Sequence, residues 1–356
     1  MKTLVIGLFV LAGLASTTFA ATPGLTKDEV EKLIAATLPA CPAPTKVSTE
    51  PLTATLGKGI RATIVKVESA NPWCNAHALA VATQAKGYFL GSPWILAGME
   101  GTPAEKIRAF AWNRLQDTVE PKVESKPRAD GFHAVTLLEK TESGVIRTSG
   151  VVDPEGTIYL PAEPRPLGFE AWRDRLEKLK PIVERAPAKG AVAAKVVVYE
   201  FSDFQCPSCK RSMDYGEKIS KEFGSAVRFA RVDFPLMGSH PWAYPAAVMG
   251  RAIWKQNPDA FWTYKNEVYE NQSSLNVFML EDFARGFVKD HGLDPARFAS
   301  DIESRTILDE ILNGVGVARG LGIQGTPTFM VDGVVIIPGD DGKLLFDAIR
   351  KKVAAK

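Results

Sequence analysis

Residues 195–209 read Lys-Val-Val-Val-Tyr-Glu-Phe-Ser-Asp-Phe-Gln-Cys-Pro-Ser-Cys, and this stretch decides the reading of the second half of the chain. Its first seven residues form a near-continuous apolar run of strand length, as expected of a strand buried on both faces of a sheet. The run leads through Ser202, Asp203, Phe204 and Gln205 into Cys206-Pro207-Ser208-Cys209. Lys210 to Phe223 then has the period of a helix, and Ala226 to Phe234 that of a second strand. A strand, helix, strand unit of this kind is expected to cross over right-handedly and to pair its strands in parallel. Helical patterns fill Trp242 to Leu321. Thr328 to Val331, a turn at Asp332-Gly333, Val334 to Ile337 and a helix from about Lys343 to Val353 close the chain, the Asp-Gly pair being a strong hairpin signal.

A Cys-x-x-Cys at a helix start has a chemical logic. The first cysteine meets unpaired backbone N–H groups and the positive end of the helix dipole, which stabilise a thiolate, and the second lies one turn along, within reach of a small disulfide ring. Cys206 is thus the candidate nucleophile and Cys209 the buried resolving thiol. Pro207 suits the first helical turn, and the Ser208 hydroxyl is placed to hydrogen-bond a thiolate. Three other readings remain open at this level. Half of a zinc site lacks its second pair of ligands, since His77, His133, His240 and His291 are scattered. A structural disulfide across so short a loop gains little from cross-linking. Two thiolates holding a soft metal such as Cu(I) make a non-catalytic binding module.

Taken together, Glu-Phe-Ser-Asp-Phe-Gln-Cys-Pro-Ser-Cys, Phe-Pro-Leu at 234–236, His240 and Gly-Thr-Pro-Thr-Phe at 325–329 resemble the DsbA-like branch of the thioredoxin superfamily, over about residues 190–356. The resemblance implies a thioredoxin fold interrupted by a helical insertion at about 238–322, and a thiol:disulfide oxidoreductase acting on protein thiols and disulfides. It implies no organic cofactor beyond the redox-active Cys206–Cys209 disulfide. Pro327 matches the family's cis-proline facing the cysteines, with Thr326 before it, and their backbone would pair with an extended substrate segment. Glu200 matches the buried acid that helps move the proton of the resolving cysteine. Independently, an acid inside a Val-Val-Val-Tyr-x-Phe run reads as buried with a raised pKa. His240 is placed to position the helix that follows. The dipeptide departs from the pattern, because strongly oxidising members carry Pro-His where this chain has Pro-Ser. The direction, oxidase against isomerase or reductase, is therefore left open.

The rest of the chain sets context. Charges nearly balance, 43 Lys plus Arg against 41 Asp plus Glu, without basic runs, so nucleic acid is not an expected partner. Residues 1–20 pattern as a signal peptide, with Lys2, an apolar run from Leu4 to Leu14 and Thr18-Phe19-Ala20 at the cleavage site, so a soluble exported, periplasmic protein is expected. Its partners would be unfolded or folding exported proteins and a membrane redox partner that recycles the disulfide. Residues 21–165 read as an α+β domain without a chemical motif, and 166–190 as a helical linker ending in a hinge at Ala186 to Gly190. An amphipathic helix near the start, capped by Thr26 and Glu29, either packs on its own domain or pairs subunits of a homodimer. In an exported chain Cys41 and Cys74 are expected to pair, closing a loop worth about 3 kcal/mol in the chain-entropy model; a second redox pair is the alternative.

Overall fold

The computed structural model describes residues 23–37, 45–69, 75–115, 118–141, 144–336 and 341–355. The signal-like residues 1–20 and both Cys41 and Cys74 lie outside them. The chain divides into two compact units, the second comprising Thr141–Val145 and Trp172–Lys356.

The first unit is built from two antiparallel five-stranded sheets. One is ordered β1 (Thr45–Pro51), β2 (Arg61–Ser69), β3 (Ala76–Ala82), β4 (Gly87–Gly91) and, after a long excursion, β10 (Arg165–Pro166). The other joins β5 (Trp94–Ile95), β6 (Val119–Val123), β7 (His133–Thr141), β8 (Gly144–Val152) and β9 (Ile158–Leu160) in the order β5-β9-β8-β7-β6. Strand alternation explains the layering. Ala62, Ile64, Leu79 and Val81 turn inward to meet Val151, Ile158 and Leu160 of the other sheet. Their neighbours Val65, Val67, Ala78 and Ala80 face the opposite way, onto Val30 and Leu33 of α1 (Lys27–Thr37). Both faces of β2 and β3 are therefore covered, whereas the alternation from Ile60 to Val67 by itself suggests a strand buried on one face only. The Thr26–Glu29 capping box forms, each residue's side chain accepting the other's backbone N–H, at 2.8 and 3.3 Å. The apolar face of α1 is thus occupied by its own sheet. On the second sheet, α2 (Pro103–Phe110) buries Ile107 against Val119, Val135 and Leu137.

In the second unit α3 (Ala171–Val183) leads to β11 (Ala188–Lys189), which pairs antiparallel with β13 (Val227–Asp233). The segment expected as a hinge is accordingly an edge strand, and 172–190 belongs to the second unit rather than to a linker. Its backbone groups take ladder bonds, with the Arg231 N–H donating to the Pro187 carbonyl at 2.9 Å. Central β12 (Val196–Ser202) runs parallel to β13 and antiparallel to β14 (Thr328–Val331), which turns into β15 (Val334–Ile336); the sheet order is β11-β13-β12-β14-β15. The turn has φ of 46° at Asp332 and 79° at Gly333. A Cβ at 333 would meet the Trp172 carbonyl oxygen at 2.0 Å, so only glycine fits.

The helix expected over Lys210 to Phe223 is broken into α4 (Pro207–Arg211) and α5 (Tyr215–Phe223). At the break, the Ser212 hydroxyl donates to the Cys209 carbonyl at 3.2 Å and the Lys265 ammonium donates to the Met213 carbonyl. These side chains satisfy carbonyls that a continuous helix would bond internally. Between β13 and β14 stand α6 (Ala243–Gln256), α7 (Pro258–Glu270), α8 (Leu280–Asp290), α9 (Pro295–Ile302) and α10 (Arg305–Gly320), and α11 (Lys343–Ala354) closes the unit.

Candidate active site

Cys206 stands at the N-cap of α4 in extended backbone geometry, with Pro207 in the first turn. It is 6% exposed, whereas Cys209, one turn on, is fully buried, and both are free thiols. The Thr326–Pro327 peptide bond is cis, and the Cys206 thiol donates to the Thr326 carbonyl at 3.4 Å. The strand partners of β12 bring these segments together, since Phe201 lies opposite Thr328.

The two sulfurs differ sharply. A hydrogen bond from the Cys209 thiol is the largest influence on Cys206; burial opposes it, and the Thr326 side chain with the backbone N–H groups of Cys209 and Ser208 adds to it, bringing Cys206 down to about 5. Cys209 is pushed well above the ordinary thiol range by burial first, then by the Cys206 and Glu200 charges. Ser208 serves the sulfur through its backbone N–H. Its hydroxyl, which sequence placed toward the thiolate, instead accepts from the Arg211 guanidinium at 2.8 Å.

Beneath the pair lies a group of buried charges. Glu200 is 3% exposed, and burial raises its pKa against the opposing fields of Lys265 and Arg231. Arg231 is ion-paired with Asp233, stacks over the Phe204 ring at 4.0 Å, and shares Asp233 with Arg251 at 2.7 Å. Lys265 is lowered to about 8, chiefly by burial. Sequence reading found Glu200 because an acid interrupts an apolar run. It missed Arg231, Asp233 and Lys265, since charges on β13 and α7 look like solvated positions until the insertion covers them. It also missed Asp203, Tyr269 and Gln272. The only signal for Asp203 was its place three residues before Cys206. His240 is beside the cysteine loop, its Nδ1 2.8 Å from an Asp203 carboxylate oxygen. Phe261, Trp262, Tyr264 and Trp242 are buried and serve as core, Tyr264 packing edge-on to Phe287 at 5.4 Å.

A thiol pair of opposed acidity at the start of a helix, beside a cis-proline loop on a five-stranded mixed sheet, defines a thioredoxin-fold thiol:disulfide oxidoreductase. Comparison with known proteins agrees. Residues 183–351 match the family model described as thioredoxin. The chain is 30% identical over 166 residues to the probable disulfide bond formation protein D of Bacillus cereus, covering 45% of this chain and 73% of that protein. It is 30% identical over 191 residues to disulfide bond formation protein D of Bacillus subtilis, covering 50% and 81%. Among solved structures, oxidised BdbD from Bacillus subtilis aligns at 26% identity and a TM-score of 0.44, over 48% of this chain and 95% of that one. The chain belongs to the thioredoxin superfamily, in its DsbA-like branch, and is a thiol:disulfide oxidoreductase.

Proposed function

We propose that Cys206-Pro207-Ser208-Cys209 is the redox centre through which this protein exchanges disulfides with exported polypeptides. The observation that carries this reading is the geometry of the pair: Cys206 caps α4 with its sulfur at the carbonyl that precedes the cis-proline and Cys209 lies buried one turn on, an arrangement that draws the acidity of Cys206 down to about 5 and pushes that of Cys209 up. The reduced Cys206 sulfur attacks a substrate disulfide, forming a mixed disulfide and releasing one substrate thiolate. Cys209 then loses its proton and attacks the Cys206 sulfur, releasing the second thiolate and leaving the Cys206–Cys209 disulfide. Two electrons pass to the substrate, and run backwards the same steps oxidise a substrate dithiol. Glu200, buried beside Cys209, is the group that accepts the Cys209 proton as attack begins. The backbone at Thr326 and Pro327 receives an extended substrate segment beside the Cys206 sulfur.

Export rests on the signal-like pattern of residues 1–20. No helix of the described residues is long and apolar enough to cross a membrane. In the periplasm the substrates would be unfolded or folding proteins, and a membrane redox partner would restore the working state of the pair. The exposed apolar Val277, Phe278 and Met279 suit an unfolded chain as substrate. A homodimer would pair through a surface of the first unit other than the apolar face of α1, whose Val30 and Leu33 are already buried.

The test is turnover of insulin disulfides by wild type and Cys206→Ser, with the potential of the pair measured in graded glutathione buffers. Loss of turnover in Cys206→Ser supports the reading. A value near −120 mV marks a disulfide donor, and roughly −200 mV or below an isomerase or reductase. A wild type that never turns over but retains copper through dialysis would replace this reading with the Cu(I)-binding module.

A further inference from the structure

The five residues from Ser202 to Cys206 link the end of β12 to the start of α4, and each is gripped by the segment that follows β13. The Ser202 hydroxyl meets the Tyr269 hydroxyl at 2.9 Å, and the Tyr269 hydroxyl also donates to the Asp203 carbonyl at 3.2 Å. The buried Asp203 carboxylate works in two directions. One oxygen accepts the Gln205 and Cys206 N–H groups at 2.6 and 3.1 Å; the other accepts the Leu236 N–H and meets His240 Nδ1, both at 2.8 Å. The Gln205 side chain accepts the Trp242 N–H at 2.9 Å. The Gln272 amide donates to the Phe204 carbonyl at 2.8 Å and to the Cys206 carbonyl at 3.1 Å.

We propose that the helical insertion is a collar that fixes the orientation of the Cys206 sulfur, with His240 acting through Asp203, and Gln272 acting on the Cys206 carbonyl, as positioning residues. The proposal rests on Cys206 being the nucleophile and adds what holds it. A connecting loop has few ladder partners of its own, so its N–H and C=O groups must be satisfied from elsewhere. Here these long-range partners all come from further along the chain, from Leu236 to Gln272. Stabilisation of a thiolate by helix N–H groups depends on direction and falls off within the first turn. A loop free to tilt would carry the sulfur away from the Ser208 and Cys209 N–H groups that favour its charge.

The experiment titrates the Cys206 thiolate by its ultraviolet absorbance in the full-length reduced protein, alongside its alkylation rate by iodoacetamide and thermal unfolding. At a pH below the wild-type midpoint, His240→Ala and Gln272→Ala are each expected to lower the thiolate fraction about threefold or more, the worth of one net hydrogen bond. Gln272→Glu should exceed Gln272→Ala, because a carboxylate faces two carbonyl oxygens, and Glu281→Ala on the exposed side of α8 should leave the titration unchanged. Variants that unfold at lower temperature while the titration and alkylation stay at wild-type values would overturn the proposal, leaving the bonds a role in stability alone. Insulin turnover separates the two readings. If wild type shows no turnover yet its thiolate responds to these substitutions, the collar stands and the proposed function falls; normal turnover with an unresponsive thiolate gives the reverse.

Discussion

The two units treat charge in opposite ways. In the first, the ion pairs Glu29–Arg61, Glu50–Lys66 and Arg128–Glu163 stay partly or largely exposed, and the one buried charged residue among its described residues, Asp153, is satisfied locally by the Thr157 and Ile158 N–H groups of its own turn, each at 2.7 Å. The second buries Glu200, Asp203, Arg231, Asp233, Arg251, Lys265 and Asp332. Burying an ionisable group is costly unless partners come with it. In the first unit that cost is met within a turn; in the second it is spread across β12, β13, α6 and α7, around two sulfurs. Local satisfaction of charge marks a packing unit, and long-range satisfaction beside a polarised thiol pair marks the chemical one.

The sharpest way to break this comparison is at the sulfurs. Cys206→Ser should lower disulfide turnover by roughly a thousandfold or more, since no other described thiol has its acidity, while Asp153→Ala should leave the alkylation rate of Cys206 unchanged. Comparable losses from both would erase the division of labour. Next comes the buried ion pair. Asp233→Ala leaves Arg231 and Arg251 uncompensated and should cost roughly 3–5 kcal/mol in denaturant unfolding.

Glu200→Gln sharpens the same point from the other side. Its pKa is raised in the fold, so above the ordinary carboxylate range the unfolded chain gives up a proton that the native state retains, and stability falls as pH rises through that window. The Gln variant should therefore be more stable than wild type at neutral pH, yet resolve a trapped mixed disulfide at least about tenfold more slowly. Cys206 has the opposite sign of shift. Reduced wild type should gain stability over Cys206→Ala as pH rises from about 5 toward the ordinary thiol value of 9.0, and lose that advantage on acidification. The smallest effect belongs to the first unit's surface, where Glu50→Ala should cost less than about 1 kcal/mol, an exposed pair gaining little over water.

Local pattern carried much of the fold. The central strand, the Asp332–Gly333 turn, the Thr26–Glu29 cap and the cysteines at a helix start all rest on contacts within a few residues, which sequence displays directly. The break at Ser212–Asp214 was invisible because Lys265, which satisfies the Met213 carbonyl there, reaches in from a helix some fifty residues away. The edge strand at Ala188–Lys189 was hidden for a similar reason: two residues carry no periodicity, and only pairing with β13 makes them a strand. The first unit's layers were half legible, since the alternation from Ile60 to Val67 announces a strand but not that α1 covers its second face.

The sequence by itself determined the chemistry this chain can perform, because a nucleophile, its resolving partner and a buried acid are named by residue type and short spacing. What only the tertiary structure decided is how that chemistry is tuned. Acidity of a sulfur, protonation of a buried carboxyl and the orientation of a loop depend on groups brought within a few ångströms by folding, and Thr326, Gln272, Lys265 and His240 come from 37 to 120 residues away from the groups they act on.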